Sequence, residues 1–425
     1  MKNQNILLLS HNFSPEPTGI GKYNGEMIDW LAKNGYNCTV ITTFPYYPHW
    51  KVQEPYTNKW YKKEVIKYTE AGTTTTIYRC PSYIPAQPTG KKRMMQDVSF
   101  WFFKSWIVLK IALSSIKFDL IITVAPPFHL AYLGLMIKNY NGGKLLYHIQ
   151  DLQIDAAQDL GMLTSSKFLG KLYDIERNIL SKADYVSTIS EGMIEKVKAK
   201  VDKDVLFFPN WADTSYFFPM PDKVGIKKSW GYKPDDLIIL YSGAIGEKQG
   251  LENVIYAADL LRDQANVKFI ICGSGPYRDK LITMSQEKQL GNINFLPVQD
   301  KDKFNEFLNL ADLHLVLQKG NASDLVMPSK LTTILAVGGA CIITCSPGTS
   351  LYNVVSKHDV GYIIEPDNFK VLAETILDIQ AHHDITAVKK GNAREYALKY
   401  LNIDNVMETF TDNVLKNSIT PLQLT

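Results

Sequence analysis

The sequence predicts an α/β fold of two domains, each with a mainly parallel sheet. Short apolar runs alternate with stretches of helical spacing, which is the pattern of βαβ units. The same alternation begins again in the second half of the chain. The chain has 425 residues, 45% of them hydrophobic, and chains of this length usually divide into more than one domain.

The elements of the first half begin close to the N-terminus. Residues 6–9 are an apolar run that is too short for a signal peptide and is typical of a buried parallel strand. A helix is predicted over 19–33, where apolar residues share one side and Gly35 stands at the position of a C-cap glycine. The other strands of this half are predicted over 38–42, 120–124, 144–149 and 184–189.

The second half repeats this scheme after a linker. The linker is predicted in the polar, proline-bearing stretch between Phe208 and Pro234. Strands are predicted beyond it over 237–242, 267–272, 313–317 and 340–344, with helices over 252–261 and 332–337. We therefore place the domains at 1–212 and 213–400, and expect 401–425 to form a C-terminal helix or tail that packs back on the first domain.

Composition and charge exclude several classes of protein. A formal net charge of +3 without a long Lys/Arg run argues against a nucleic-acid partner. The five cysteines are odd in number and lack metal-binding spacing, which favours a reducing, cytoplasmic compartment. No run of about twenty uncharged apolar residues occurs, so we expect no transmembrane helix.

Two segments rich in proline and aromatic residues, 44–61 and 81–88, interrupt the α/β pattern. We interpret both as ordered loops, because loops often hold functional residues on such scaffolds. They either line a ligand cleft or pack over the edge of the first domain.

Two turns with glycines are candidates for phosphate binding. Gly19 and Gly21 stand at the start of the first predicted helix, where backbone N–H groups can approach an anion. A plain tight turn would give the same pattern. Gly243 follows a predicted strand and opens a loop with Glu247 and Lys248. A lysine there can hold a phosphate as a point charge, or it is a solvated surface side chain.

A third candidate is the start of the helix that follows Pro328. Ser329 and Lys330 would occupy its first turn, after the segment 324–327. A lysine in the first turn is unfavourable for the helix dipole. A bound polyanion would explain the position of Lys330, and a tolerated surface lysine is the alternative.

These features occur in an order that resembles the retaining glycosyltransferases of family 4, which have the GT-B fold of two facing Rossmann-like domains with a cleft between them. The resemblance covers nearly the whole chain. The similar blocks are the glycine loop 14–23, the strand-then-Ser motif 186–191, the linker motif 208–213, the lysine loop 246–250, the GxGP turn 273–276 and the PSK motif 328–331. Two positions depart from the family: Ala244 stands where most members have Arg, and Thr333 stands where most have a second Glu.

The resemblance implies transfer of a sugar from a nucleoside diphosphate sugar to a hydroxyl group of a glycan or polyprenyl-linked acceptor, with retention. The first domain would bind the acceptor and the second domain the donor. Lys248, Lys330 and the Gly19–Gly21 turn would stabilise the leaving diphosphate, and Glu247 would contact the donor. Blocks 18–23, 45–48 and 246–254 resemble a branch of surface-polysaccharide enzymes, which implies GDP-fucose or another deoxy or N-acetylamino sugar.

Catalytic residues are predicted at the end of the strand over 144–149. The resemblance places a histidine near an aspartate here, and the sequence has His148 and Asp151. His148 and Gln150 share a strand face, so either could occupy the catalytic position. His148 or Asp151 would position the acceptor hydroxyl. A structural role for His148 is the alternative.

Three other functions remain compatible with the sequence. A nucleotide-sugar 2-epimerase has the same fold and the same class of substrate. A non-catalytic glycosyltransferase-like subunit is suggested by Ala244 and Thr333. A dehydrogenase is disfavoured, because no GxGxxG follows the first strand.

The sequence also predicts metal independence and a membrane partner. The acidic triplets 202–204 and 300–302 contain lysines, so we interpret them as solvated charge and expect no metal or other cofactor.

Lys91, Lys92 and Arg93 precede a segment of Phe and Trp residues that reaches residue 107. Such a segment suits the headgroup region of an anionic membrane, and we expect peripheral attachment at the cytoplasmic face. The alternative is a helix with its aromatic side chains in the core. Both interpretations are correct if one face of the helix is buried and the other face is exposed.

Overall fold

A computed structural model describes residues 4–17, 19–87, 90–159, 166–320 and 328–416. In these residues the chain forms two compact units. The first consists of residues 4–209 together with 407–416, and the second of residues 210–406. Each unit contains one sheet with its own buried apolar cluster.

The first unit contains an eight-stranded sheet among the described residues. Its strands are β1 Asn5–Leu9, β2 Asn37–Thr43, β3 Lys62–Tyr68, β4 Thr73–Cys80, β5 Leu120–Ala125, β6 Lys144–Ile149, β7 Tyr185–Thr188 and β8 Val205–Phe207. Its first six helices are α1 Gly19–Lys33, α2 Gly90–Ala112, α3 Leu130–Asn141, α4 Gln153–Asp159, α5 Ser166–Lys182 and α6 Glu191–Lys198.

The strand order of this sheet is β3-β4-β2-β1-β5-β6-β7-β8, and every neighbouring pair is parallel except β3 with β4. β1 lies between β2 and β5, and its residues 6–9 are fully buried. A strand covered on both faces needs apolar side chains throughout, which explains the continuous run in the sequence. The carboxyl ends of β1, β2, β5 and β6 meet at one edge, where ligands of open α/β sheets bind.

The hairpin of β3 and β4 differs from the sequence analysis, which predicted no strand between residues 62 and 80, while the rest of the sheet is parallel as predicted. Side chains along β3 are exposed or half-buried on both faces. The segment therefore lacks the alternation of apolar and polar residues from which a strand is predicted. β3 is held by its antiparallel pairing with β4 from residue 62 to residue 68, and a polar contact adds to this pairing. Arg79 is buried, and its Nε donates to Glu64 Oε2 at 2.9 Å.

The second unit contains a six-stranded parallel sheet. Its strands are β9 Leu237–Ser242, β10 Val267–Cys272, β11 Ile293–Leu296, β12 Leu313–Val316, β13 Ala340–Thr344 and β14 Tyr362–Ile364. The remaining helices are α7 Lys223–Ser229, α8 Glu252–Leu260, α9 Arg278–Glu287, α10 Lys301–Leu310, α11 Ser329–Ala336, α12 Ser350–His358, α13 Phe369–Ala381, α14 His383–Tyr396 and α15 Ile403–Val414.

The strand order of the second sheet is β11-β10-β9-β12-β13-β14. In order of appearance within the unit this is 3-2-1-4-5-6, the order of the dinucleotide-binding Rossmann fold. The predicted Rossmann-like architecture of this half is therefore confirmed.

The chain passes between the units after Pro209 and again before Met407. Within the second unit, Ala212 N donates to Leu401 O at 2.8 Å, so the outgoing and returning segments lie side by side. Within the first unit, the ring of Phe410 from α15 stacks on Phe208 with centroids 4.4 Å apart. The C-terminal part of α15 is thus part of the first unit.

Candidate functional site

Two loops at the carboxyl edge of the second sheet touch through their backbones. Ile245, after β9, donates its N–H to the carbonyl of Ser274, after β10, at 2.9 Å. A Cβ atom on Gly273 would lie 1.9 Å from the carbonyl oxygen of Gly243, and the φ of Gly273 is +148°. Only glycine combines that backbone conformation with so close an approach. The two glycine turns therefore form one rigid backbone surface.

Lys330 lies against this surface. Its Nζ is 3.7 Å from the centroid of the Tyr241 ring and close to Gly243. Nζ is buried and has no hydrogen-bond partner among the described residues. Burial lowers the pKa of Lys330 to about 7. A buried ammonium group without a hydrogen-bond partner is costly, and an anionic ligand would remove that cost.

The start of α11 agrees with the sequence analysis. α11 begins at Ser329, so Ser329 and Lys330 occupy its first turn, and Ser329 is exposed. Thr333, at the position of the missing Glu, uses its hydroxyl to donate to the Lys330 carbonyl at 3.0 Å. The segment 324–327 that was considered with this motif lies outside the described residues.

Glu247 and Lys248 occupy a short 3₁₀ turn, Glu247–Gln249, directly after the β9 loop. Both side chains are exposed, as is Ala244. The turn is held by Gly246 N, which donates to Gln249 Oε1 at 3.0 Å, and by Lys319 N, which donates to the Lys248 carbonyl at 2.9 Å. The fold thus places Lys330 beside Gly243 and leaves Lys248 reaching into solvent on the adjacent turn.

The Gly19–Gly21 turn in the first unit has a different environment. α1 begins at Gly19, as predicted, but the buried carboxylate of Glu16 lies beside Gly21. A Cβ atom on Gly21 would be 2.4 Å from Glu16 Oε2. Glu16 Oε1 accepts from the N–H groups of Tyr46 and Tyr47, at 3.0 Å each. A carboxylate here opposes a diphosphate at short range, which makes this turn a weaker phosphate candidate than Lys330.

His148 is fully enclosed at the end of β6. Its Nδ1 lies 2.9 Å from Ser187 Oγ, and its Nε2 lies 2.9 Å from Gln150 Nε2. The Gln150 amide donates to Nε2, so Nδ1 holds the proton and donates to Ser187. Burial lowers the pKa of His148 to about 3, so the ring stays neutral. Both ring nitrogens are already bonded, which favours the structural role for His148. Asp151, three residues further on, is half-buried.

A second polar group in the first unit was not recognised from the sequence. His11 follows β1, Asp97 lies on α2, and Gln153 begins α4. His11 Nδ1 is 3.7 Å from Asp97 Oδ1, and Asp97 is hydrogen-bonded to Gln153. Two features of the sequence could have indicated it: a histidine directly after the first strand, and a single acidic residue within the aromatic segment 90–112.

Two absences concern only the part of the chain that the structure describes. There, no group of three or more His, Cys, Asp or Glu side chains is arranged to hold a metal ion. None of the helices described combines the length and the apolarity that a membrane crossing requires.

Two solved structures share this architecture. Sucrose-phosphate synthase from Thermosynechococcus elongatus aligns with a TM-score of 0.73 at 17% identity, over 97% of this chain and 98% of that one. HepE from Anabaena, in complex with UDP and glucose, aligns with a TM-score of 0.65 at 14% identity, over 96% and 98% of the two chains. At these identities the likeness shows the fold alone, and it confirms the predicted GT-B fold class.

Sequence similarity identifies the family. Residues 222–395 match the family described as glycosyl transferases group 1. The chain is also 39% identical over 421 residues to WcaI of Escherichia coli (strain K12), which is named as a colanic acid biosynthesis glycosyl transferase, and the match covers 96% of this chain and 99% of WcaI. The glycosyltransferase predicted from the motifs is confirmed, and the chain belongs to the group 1 glycosyl transferases.

Proposed function

We propose that the protein transfers a sugar from a nucleoside diphosphate sugar to a hydroxyl group of a glycan or polyprenyl-linked acceptor, with retention, in surface polysaccharide biosynthesis. The observation that supports this most directly is the buried Lys330 ammonium beside the glycine loops of the second sheet. The name of WcaI supports a polysaccharide product. The UDP and glucose bound to HepE support a nucleotide-sugar donor.

The proposed chemistry follows from where charge develops. Breaking the bond between the anomeric carbon and the phosphate oxygen leaves negative charge on the diphosphate. Lys330, together with the exposed Lys248, would stabilise that charge, and preorganised groups of this kind are often the largest catalytic contribution. The Gly19–Gly21 turn remains a secondary candidate. Glu247 and Ser329, both exposed at the same edge, would contact the donor sugar or its phosphates.

We further propose GDP-fucose, or another deoxy or N-acetylamino sugar nucleotide, as the donor. The experiment that tests donor binding is a thermal-shift panel of UDP, GDP, UDP-glucose and GDP-fucose. A ligand at about 100 times its Kd should stabilise the protein by about 2.7 kcal/mol. Stabilisation by GDP compounds over UDP compounds supports the fucose assignment. A panel in which no nucleotide raises the unfolding temperature contradicts the proposed function.

Two other functions stay open as alternatives and are distinguished by their products. The exposed Ala244 and the internally bonded Thr333 replace the Arg and Glu of most members, which favours a non-catalytic subunit. A 2-epimerase would share the donor. Incubation with donor alone separates them, because an epimerase converts it, a transferase only hydrolyses it slowly, and a non-catalytic subunit leaves it intact.

Transfer is expected to be independent of metal ions. Two lysines and the N-terminus of α11 can neutralise a diphosphate without Mg²⁺. The acidic triplets do not offer an alternative site: Asp300 and Asp302 are exposed, and Lys203 of the other triplet donates to the Leu180 carbonyl at 3.0 Å. Initial rates should be equal in EDTA and in Mg²⁺. Activity that EDTA abolishes and Mg²⁺ or Mn²⁺ restores would contradict this.

We also propose that α2 attaches the protein to the cytoplasmic face of an anionic membrane. One side of α2 is packed in the core through Phe100, Val108 and Ile111. The other side is an exposed stripe of large apolar side chains: Met94, Met95, Val98, Trp101, Phe102, Trp106 and Leu109, continued by Leu113. Arg93 and Lys110 are exposed on the same helix, and cations beside aromatic rings suit the headgroup region. The side chain of Lys91 lies outside the described part.

Exchanging two rings of this stripe for carboxylates should abolish membrane binding. Phe102 and Trp106 are 71% and 62% exposed, so Phe102→Glu with Trp106→Glu leaves the core intact. Each inserted ring contributes roughly 1.5–3 kcal/mol, and the double variant should bind vesicles on the order of 10²- to 10⁴-fold more weakly. Flotation with phosphatidylglycerol–phosphatidylcholine vesicles measures this, against vesicles of phosphatidylcholine alone.

The matched control is Leu260→Glu with Val298→Glu, which changes two exposed apolar side chains of the second unit. The control should float like the wild type, and Arg93→Ala with Lys110→Ala should lose only the preference for anionic vesicles. A wild type that never floats, or a Phe102/Trp106 variant that floats equally well, would show that α2 is not the attachment site.

A further inference from the structure

The strongest polar cluster outside the proposed donor site lies in the first unit, where β1 and β2 end. His11 is its central member and is 4% exposed. The His11 carbonyl accepts from the hydroxyl groups of Thr42 and Thr43 at 3.1 and 2.8 Å, which fixes the backbone. The imidazole stacks on the Phe100 ring with centroids 4.1 Å apart. The ring of His11 is therefore held in one orientation.

The charge state of His11 follows from its surroundings. Lys104 Nζ lies 3.3 Å from the centroid of the same Phe100 ring and donates to the Ile41 carbonyl at 2.9 Å. Burial, with Lys104 nearby, lowers the pKa of His11 well below its ordinary value. The ring is neutral at physiological pH, so one nitrogen donates a hydrogen bond and the other accepts one.

Two buried polar atoms of this cluster have no hydrogen-bond partner among the described residues: His11 Nε2 and Gln153 Oε1. Asp97 lies among them, 3.7 Å from His11 Nδ1 and hydrogen-bonded to Gln153. The side chain of Asp97 is 21% exposed, so a small group in solution can reach the cluster. Leaving a buried polar atom without a hydrogen bond is unfavourable, and two such atoms beside the Asp97 carboxyl indicate a missing ligand group.

The combination of groups selects the class of ligand. An anion is disfavoured by the Asp97 carboxylate, and the neutral ring of His11 gives a cation little additional attraction. A hydroxyl group both donates and accepts, which matches a carboxylate, a neutral imidazole and an amide. We propose that His11, Asp97 and Gln153 bind a hydroxyl group of the acceptor sugar. This rests on the proposed function, which needs an acceptor site, and it assigns that site to residues of the first unit.

The test measures acceptor dependence separately from donor binding. The acceptor probe is a chloroform–methanol–water extract of cell envelopes from the organism of origin, used with a radiolabelled donor chosen from the nucleotide panel. Asp97→Asn and Gln153→Ala should each raise the extract concentration for half-maximal transfer by about tenfold or more, the effect of losing a hydrogen bond to a charged or buried group. Stabilisation by UDP or GDP should stay unchanged in both variants.

The dependence on pH gives a second readout. Burial raises the pKa of Asp97 to about 7. The groups that face it are the neutral His11 beyond β1, Tyr46 beyond β2, Arg93 on α2 and Gln153 on α4. A carboxylate is ionised above its pKa, so at saturating donor the wild type should need less extract as the pH rises from about 6 to about 8. Asp97→Asn should show no such change.

The control variant is Ser105→Ala, since Ser105 is half-buried on α2 and its hydroxyl donates within the helix, to the Trp101 carbonyl. If Asp97→Asn does not fold, Gln153→Ala is the deciding variant, because the Gln153 residue is only half-buried. Wild-type acceptor dependence in the folded variants would overturn the proposal. A wild type that binds none of the nucleotides would instead refute the proposed function before this test applies.

Discussion

Replacing Lys330 with methionine is expected to lower kcat/KM for the donor by about 10²–10³, the scale of losing one preorganised donor to developing negative charge. The same change should leave the free energy of unfolding unchanged or raise it. Methionine keeps the length of the side chain and its packing on Tyr241, and it removes a buried ammonium group that has no hydrogen-bond partner among the described residues. Lower activity together with equal or greater stability is a combination that a merely structural lysine would not give.

The gain in stability should depend on pH in a defined direction. The pKa of Lys330 is lowered in the folded state to about 7 from an ordinary value of 10.5. The unfolded chain therefore holds the proton more tightly between these values, and the wild type loses stability as pH falls through this window. Relative to the wild type, Lys330→Met should gain most near pH 7 and below, and nothing above pH 10.5. Urea unfolding at several pH values measures this difference.

Lys248→Met is the matched control for stability, because Lys248 is exposed and exposed lysines contribute little to folding. Its unfolding should not change at any pH, and its kcat/KM should fall by about 10² if it contacts the diphosphate. Wild-type kinetics in Lys330→Met would remove Lys330 from the site. Wild-type kinetics in Lys248→Met would remove only Lys248.

Gly273→Ala is expected to destabilise the second unit by about 3 kcal/mol or more, because backbone strain and a steric clash act together. The added Cβ atom would lie 1.9 Å from the carbonyl oxygen of Gly243, at a φ of +148° that side chains rarely adopt. The loops after β9 and β10 would have to separate, and Lys330 would lose the surface that it packs against. The increase in stability that nucleotides give the wild type should therefore be smaller in Gly273→Ala.

Denaturant unfolding of Gly273→Ala should be compared with Gly291→Ala. Gly291 is exposed, and a Cβ atom there would have nothing within 4 Å, so its replacement should change the free energy of unfolding by less than about 0.5 kcal/mol. Since two units can unfold in separate steps, the transition that nucleotides shift identifies the second unit. Equal free energies of unfolding for the two variants would mean that the loops after β9 and β10 can separate without loss of stability, which contradicts the prediction.

The central strands could be predicted from the sequence because burial on both faces requires continuous apolar runs. β6, β9, β10 and β13 have the predicted bounds. β3 could not be predicted, because it is an edge strand with exposed side chains on both faces, and its pairing partner rather than its own sequence makes it a strand.

The functional residues were predictable in position and not in environment. Lys330 was recognised from the helix start, but its burial against Tyr241 depends on a contact between distant parts of the chain. His148 was predicted as catalytic from a motif, and the bonds of its ring to Ser187 and Gln150 could be seen only in the fold. The pairing of His11 with Asp97 joins a strand end to a distant helix, and local patterns contain no information of that kind.

The return of the chain to the first unit at Met407 has a consequence for biosynthesis. The second unit is one uninterrupted segment, so all of its partners exist once residue 406 has left the ribosome. The first unit is completed later, because Phe410 and Val414, both buried, follow in the chain. Until they emerge, the Phe208 ring has no Phe410 to stack on. A nascent chain paused near residue 406 therefore presents an apolar surface of the first unit to chaperones, although that unit was synthesised first.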